Sequence, residues 1–507
     1  MNKLNNSFYL VLFVLIGAFG CTDLEEDPIA LLAPESFFKT PTDVETAVNG
    51  IHGRICSEDV YGRKLSLTIM LRSDMLDIGD RGTPGRRQQV NDFQMDANNG
   101  MVLAFWPAMY QAISAANAAI AGGESIINDS NRGRVTPLIA EARFMRAYCY
   151  FHLVQLFGDI PYIDFFIENP DEVVDISKTP ANEVWDGIIT DLDFAKDNLP
   201  EKSDIRSRPS QGSAAAYLAL SHLTLGDFQE AYSEAKYVID NSGTFGYALD
   251  SDFQDLFDAT KADNLQGAIF TLDFLGQMDA YPIERDVLPA LTGMRGRDNI
   301  EGWSVAVPTM AVYEDWDDRD YRKWVSFDTA TMINGEMQSF EMFGNPDARR
   351  PHCAKYFRFP GTAGTSNYDS DHNYSQIRYA EVLLIAAEAL NEINGGPNAE
   401  AEGYVNQVRA RARNAAGVMN DFPADVTPGQ NQAEFLNTVL EERRLELAFE
   451  AKRWYDIKRR QLGTELFTGS SSFEPHPNFD PGRDYLLPLP GNQLLQSPNL
   501  APQNPGY

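Results

Sequence analysis

The chain has 507 residues, 43% of them hydrophobic, and a formal net charge of −31. It can therefore bury a large core, either as one big domain or as two or three fused lobes. So large a negative charge argues against nucleic acid and against an anionic membrane surface as partners. Beyond Cys21, the cysteines Cys56, Cys149 and Cys353 are too far apart for a disulfide framework. With no CxxC pair and no nearby histidine set they do not form a zinc site, and no metal or cofactor is expected.

At the N-terminus, Lys3 gives a short positive start and Phe8 to Gly20 is an unbroken run of apolar or small residues. Its length suits a signal-peptide core and falls short of the roughly 20 residues that a membrane-spanning helix needs. Gly17-Ala18-Phe19-Gly20 directly before Cys21 resembles a bacterial lipobox, Phe19 being bulkier than the usual residue. The expected reading is a signal peptide over 1–20 and a tether over 21–40 that begins at a lipidated Cys21. Two or more acyl chains on one residue anchor stably. The acidic Thr22 to Pro28 resembles the signal that sends some Gram-negative lipoproteins to the outer face of the outer membrane; a solvated linker would look the same.

Residues 41–242 read as helices. Asp43 to Cys56 follows the capping region Thr40-Pro41-Thr42. Trp106, Tyr110, Ile113, Asn117 and Ile120 recur at steps of three and four, one face of a helix with Pro107 in its first turn. Pro137 to Phe157 is a long amphipathic helix ending at Gly158, and Glu183 to Asn198 is another, with Asn182 as N-cap. In Ser213 to Asp240, small residues flank Leu225-Gly226-Asp227-Phe228, and the pattern resembles a tetratricopeptide-repeat hairpin turning at Gly226. Such pairs need neighbours, so several should stack.

Residues 243–373 are richer in Gly, Pro, Asp and aromatics and have little periodicity. They read as long loops with short strands, such as Gly267 to Asp273, and a few short helices. Loops this long in an otherwise compact protein are usually functional. Helix returns over 374–507, at Tyr379 to Ile393, Glu402 to Ala415 and Gln432 to Leu462. The fold class is mainly α.

Several segments carry a family resemblance. Arg378-Tyr379-Ala380-Glu381-Val382-Leu383-Leu384-Ile385 and Glu441 to Glu450, running on to Lys452-Arg453-Trp454-Tyr455-Asp456, resemble the signature helices of the SusD/RagB-like outer-membrane lipoproteins. Arg143 to Pro161, the hairpin at 213–240, Leu487-Pro488-Leu489-Pro490 and the ending Asn504-Pro505-Gly506-Tyr507 are similar to that family in the same order. The resemblance implies a scaffold of tetratricopeptide-like helical pairs and an irregular region that captures ligand, commonly an oligosaccharide. It also implies a SusC-like TonB-dependent transporter as partner, over which the lipoprotein sits as a lid, and no catalytic activity.

The chemistry of individual residues is compatible with that. Glu442, Glu446, Glu450 and Asp456 could suggest a glycosidase, but they interleave with Arg443, Arg444 and Arg453 at helical spacing, which favours ion pairs on one face. His152 and Cys149 read as core residues. Sugar capture needs an aromatic face for the C–H patch of a pyranose and amides, carboxylates or arginines for its hydroxyls. Candidates therefore lie in two loop-rich segments: 72–99, with Asp80, Arg81, Arg86 and Arg87, and 277–324, with Tyr281, Arg295, Arg297, Asn299 and Trp303. Trp303 is the favoured stacking platform, its alternative a core tryptophan beneath the loop. Trp106, Trp185 and Trp454 are assigned to packing, and Trp316 and Trp324 to structural roles in a short helix. The arginines could receive uronic acid or sulfate groups, although solvated loops or transporter contacts are favoured. The expected function is a non-catalytic binder of oligosaccharide or polysaccharide at the outer membrane, facing outward. A structural lid without glycan affinity, a peptide binder and a surface glycosidase are the alternatives.

Overall fold

Thr40 and Pro41 open the first helix of the computed structural model, which describes residues 37–276, 286–296, 298, 302–361, 370–470 and 472–507, the side chains of 170 and 171 excepted. Thr40 and Asp43 form a reciprocal capping box on α1 (Pro41–Ile55), and Pro41 sits in the first turn, where its missing N–H is no loss. Then come α2 (Lys64–Leu71), β1 (Leu76–Ile78), α3 (Gly85–Asn91), α4 (Val102–Ile126) and α5 (Arg132–Phe157). Both α4 and α5 begin earlier than expected, so Pro107 and Pro137 lie inside them rather than in their first turns. The bond each proline forfeits falls near a helix start, and burial of the long apolar faces outweighs it. In α6 (Ala181–Asn198), Asn182 is not the N-cap. Pro180 holds that position, and the Ala181 amide donates to Asp159 Oδ1 at 2.9 Å, a carboxylate distant in sequence.

The hairpin at 213–240 forms as α7 (Gln211–Leu225) and α8 (Phe228–Asp240), joined through Gly226 at φ +81°. Ala215, Ala219, Ala231 and Ala235 are fully buried there, the small side chains that close helix approach requires. Helix packs on helix in sequence: α1 on α4, α4 on α5, α5 on α6, α6 on α7, α7 on α8.

After α8 the chain leaves this stack. Its excursion carries β2 (Ala268–Asp273), α9 (Leu288–Thr292), β3 (Ala306–Pro308), α10 (Met310–Asp315), α11 (Tyr321–Ser326), β4 (Phe327–Asp328), β5 (Ala330–Ile333), β6 (Glu336–Ser339), β7 (His352–Cys353) and β8 (Asn373–Arg378). β2 pairs antiparallel with β8, Thr271 opposite Ser375 and Leu272 opposite Tyr374, which closes the excursion. The chain then re-enters the stack as α12 (Tyr379–Asn394), which packs on α7, α8, α13 (Ala399–Ala412) and α14 (Gln432–Glu446). The single helix expected over 432–462 is broken into α14 and α15 (Arg453–Arg459), because Phe449 and Ala451 turn at φ +66° and +56°. The fold is mainly α, with helical pairs as scaffold and short two-stranded ladders in the excursion.

The C-terminal tail finishes α5. Asn504 Nδ2 donates to Phe157 O (2.9 Å) and Leu487 O (2.7 Å), and the Leu487 amide donates to Leu156 O (2.7 Å). These bonds satisfy carbonyls that a helix end leaves orphaned. Cys56, Cys149 and Cys353 are buried, and burial pushes the Cys353 thiol up to about 12. Among the described residues no helix is long and apolar enough to cross a membrane. Residues 1–20 and the lipidation expected at Cys21 lie outside the described residues.

Candidate functional site

The two loop segments singled out in the sequence meet across one ladder. β1 pairs antiparallel with β3, Leu76 opposite Pro308 and Ile78 opposite Ala306. The pairing runs on into the loops, where Gly79 N donates to Val305 O (3.0 Å) and Asp80 N to Ser304 O (2.7 Å). A side chain at Gly79 would meet Val307 and come within 2.6 Å of Ser304 O, so the approach depends on glycine. Asp80 is thereby set beside Trp303–Ser304.

Around that junction the polar groups are ordered by one another. Asp80, 8% exposed, accepts from Arg295 Nη2 at 2.8 Å and from its own loop's Gly82 amide at 2.9 Å. Arg81 is exposed and bridges Asp92 and Asp77, each at 3.1 Å. Asp77 also receives Arg350 (3.2 Å) and Asn91 Nδ2 (2.8 Å). Arg86 is half-buried and, among the described residues, has no ion pair. Arg87 is not part of the rim: it is buried and donates to Thr83 Oγ1 at 3.0 Å, and burial beside Arg63 and Arg86 lowers its pKa to about 10.

Trp303 is half-buried and rests on the core. Its amide donates to Ala290 O (2.5 Å), and the flanking Gly302 and Ser304 amides donate to Met294 O (3.1 Å) and Gly293 O (2.9 Å). Its loop is thus held by backbone bonds on both sides. Tyr281, Arg297 and Asn299 lie outside the described residues. The structure therefore brings Asp80 to the Trp303–Ser304 segment through its amide, with Arg295 paired to Asp80 and Arg81 to Asp77 and Asp92.

The other tryptophans divide differently from expectation in one case. Trp106, Trp185, Trp316 and Trp454 are buried. Trp324, expected to be structural, is 57% exposed. Its neighbours Arg322 and Lys323 turn inward to carboxylates and to the Trp316 carbonyl, which leaves the indole on the outer side of α11. No periodicity marks this in so short a helix.

The four carboxylates considered for hydrolysis are sealed in ion pairs. Glu442 receives Arg322 (2.6 Å) and Arg409 (2.8 Å). Glu446 receives Arg378 (2.9 Å), Arg322 (3.3 Å) and Arg411. Glu450 receives Lys355 (2.7 Å) and Arg378 (2.8 Å), and Asp456 receives Arg459 (2.7 Å) and Arg443 (2.9 Å). Burial alone would raise the Glu446 carboxyl, yet Arg411, Arg378 and Arg322 together hold it well below the carboxylate range. Local helical spacing accounts for few of these pairs. Arg459–Asp456 (2.7 Å) and Arg444–Glu441 (2.6 Å) follow it, whereas Arg453 reaches Asp74 (2.8 Å) and Arg443 reaches Glu381 (3.1 Å) on other elements. His152 is a packed core histidine, its Nδ1 2.7 Å from Tyr455 Oη. Among the described residues no group of His, Cys, Asp and Glu could hold a metal ion.

Comparison with known proteins fits this architecture. A family model described as the SusD family matches residues 344–507, and one described as "Starch-binding associating with outer membrane" matches residues 35–225. A SusD-like protein of Formosa agariphila is 51% identical, the match covering 100% of both chains. The crystal structure of a SusD homolog from Bacteroides thetaiotaomicron superposes with a TM-score of 0.82 at 20% identity, covering 94% of this chain and 98% of that one. A laminarin-binding SusD-like protein gives 0.77 at 23% identity, covering 93% and 100%. A helical stack interrupted between α8 and α12, a tail that caps α5 and half-identity along the whole length of a SusD-like relative leave one assignment: the chain belongs to the SusD family.

Proposed function

We propose that this protein is a non-catalytic, cell-surface lipoprotein that binds oligosaccharide or polysaccharide and passes it to a SusC-like TonB-dependent outer-membrane transporter. The observation that carries the reading is the β1–β3 junction, where Asp80, paired with Arg295, bonds through its amide to Ser304 O next to Trp303, in a chain of this family. A half-buried indole beside ordered carboxylate and guanidinium groups offers the apolar face and polar rim that a pyranose requires. The laminarin-binding protein of like fold is consistent with a polysaccharide ligand. Lipidation at Cys21 and an outward-facing position over the transporter follow from the N-terminal sequence and the family resemblance. Tyr281, Arg297, Asn299, Arg81 and Arg86 are proposed to contribute to the same rim.

Lack of catalysis is argued from charge. A glycosidase needs one carboxyl held protonated near neutral pH, and the carboxylates Glu446, Glu450 and Asp456 are instead pulled below their ordinary range by buried arginines and lysine.

Native affinity gels and calorimetry against a panel of neutral and acidic polysaccharides test the reading. Retention without release of reducing ends is expected, and Trp303→Ala should weaken affinity about tenfold, the value of one aromatic contact. Release of reducing ends by the pure protein would overturn the non-catalytic reading. An unchanged affinity in Trp303→Ala would remove that residue from the site.

A further inference from the structure

We propose that the depression beside Trp324 is a second saccharide-binding site, separate from the Asp80–Arg295–Trp303 surface and suited to an uncharged pyranose; it rests on the reading of the chain as a glycan binder. A space of about 450 Å³ is lined there by Tyr313, Trp324, Phe327, Thr329, Met337 and Arg358, among others. That is within the size range of small-ligand pockets, roughly 300–1,000 Å³.

The indole is held ready. Tyr321 and Trp324 share one side of α11, their rings within 13° of parallel and 5.8 Å apart. The Arg358 guanidinium lies 4.4 Å from the Trp324 ring centroid. Arg358 cannot swing away cheaply: it donates to Asp328 Oδ1 (2.9 Å), Gln254 Oε1 (3.2 Å), Trp324 O (2.8 Å) and Phe327 O (2.9 Å). Arg358 fixes the indole while Trp324 as a residue stays 57% exposed, so the side chain is preorganised and loses little entropy when a ligand settles against it. Large aromatic side chains are left open to solvent in this way at recognition sites more often than by chance.

The charges around it select the ligand. Arg358 is paired with Asp328 at 2.8 Å and Lys323 with Asp318 at 2.6 Å, so each cation in the lining already has its anion. A sulfate or uronate would have to displace one of these carboxylates, whereas hydroxyls can bond to Asp318 and to exposed Thr329 without breaking a pair. Met337, 66% exposed, adds an adaptable apolar wall.

Met337 stands on the β5–β6 hairpin, and the turn of that hairpin is bound by Asp298, whose carboxylate accepts from the Asn334 (2.8 Å) and Gly335 (2.7 Å) amides. Asp298 belongs to the loop between Arg295 and Gly302, which borders the first surface. One hairpin thus borders both surfaces, and a long chain can engage both while a short oligosaccharide engages one.

The test uses the full protein, Trp324→Ala, Trp324→Phe, Trp303→Ala and the double alanine variant, in affinity gels containing laminarin, starch, xyloglucan or galactomannan. Melting curves check that each variant folds, which an exposed position should permit. For the polysaccharide that retains the native protein, Trp324→Ala is expected to weaken retention about tenfold and Trp324→Phe to restore most of it. The double variant should lose more than either single one. Undiminished retention in Trp324→Ala, with loss in Trp303→Ala, overturns the second site alone. Failure of the native protein to be retained by any glycan in these gels overturns the glycan reading and this site with it.

Discussion

Arg322 Nη1 lies 2.6 Å from Glu442 Oε1, and both side chains are sealed from solvent. The pair ties α11, on the excursion, to α14, in the helical stack. Arg322 also holds Asp320 at 2.9 Å, the residue that caps α11. Replacing it with Met leaves Asp320 facing Glu442 and Glu446 without the shared guanidinium, and those two carboxylates keep only Arg409 and the Arg378–Arg411 pair. Breaking a buried pair by removing one partner costs about 3–5 kcal/mol. Arg322→Met should therefore lower the urea midpoint strongly, and the near-ultraviolet signal from Trp324 should change with it. Loss of stability with an intact tryptophan signal would mean that α11 is held by packing alone.

Gly79 offers a test that separates the first site from overall stability. A methyl group there would meet Val307 and the Ser304 carbonyl, pushing β1 from β3 where the Asp80 amide reaches Ser304 O beside Trp303. Overpacking of this kind costs about 1–3 kcal/mol. Gly79→Ala is expected to weaken glycan affinity out of proportion to its effect on melting. Gly85→Ala, where nothing stands within 4 Å, is the control and should leave both unchanged.

Asn504 gives a third. Its side-chain amide is buried and donates to the Phe157 and Leu487 carbonyls. Asn504→Leu would take this donor from the Phe157 carbonyl at the end of α5 and from the Leu487 carbonyl in the tail, a cost of about 1–3 kcal/mol. Chemical denaturation of the variant should register that loss, and glycan retention below the melting transition should not change.

What could be read in the sequence was periodic or chemically local. The helix stripes, the Gly226 turn and the capping region of α1 depend on residues a few positions apart, and all appear in the structure. The break between α14 and α15 could not be read, because Phe449 and Ala451 carry neither the glycine nor the proline that marks a left-handed turn. Ion-pair partners were equally hidden. Arg453 and Asp74 are 379 residues apart, and spacing along one helix says nothing about such a pair. For the site, composition located the two loop segments but not their junction, since the three-residue strands β1 and β3 are too short to show alternation. The exposure of Trp324 could not be read, because a six-residue helix among charges gives no face to count.

Buried histidines make stability depend on pH, His476 among them. Burial lowers the pKa of His152 from 6.5 to about 3, and those of His352 and His372 from 6.5 to about 4. Each folded value lies below the unfolded one, so protonation favours the unfolded chain. Their contribution is complete above pH 6.5 and is lost as pH falls toward 4. At pH 5 the loss is about 2 kcal/mol for each histidine relative to pH 7. Carboxylates with depressed values, such as Glu450 beside Arg378 and Lys355, add to the loss only below their ordinary range. Urea midpoints should therefore fall steadily from pH 6.5 to 4.5. A level midpoint down to pH 5 would mean that these imidazoles are not held neutral. His352 carries the consequence to the first surface: its Nε2 is 2.8 Å from Ser304 Oγ, and Ser304 O accepts the Asp80 amide. A doubly protonated His352 cannot accept the Ser304 hydroxyl bond, so glycan affinity should fall over the lower part of the same pH window, and His352→Gln should flatten that fall.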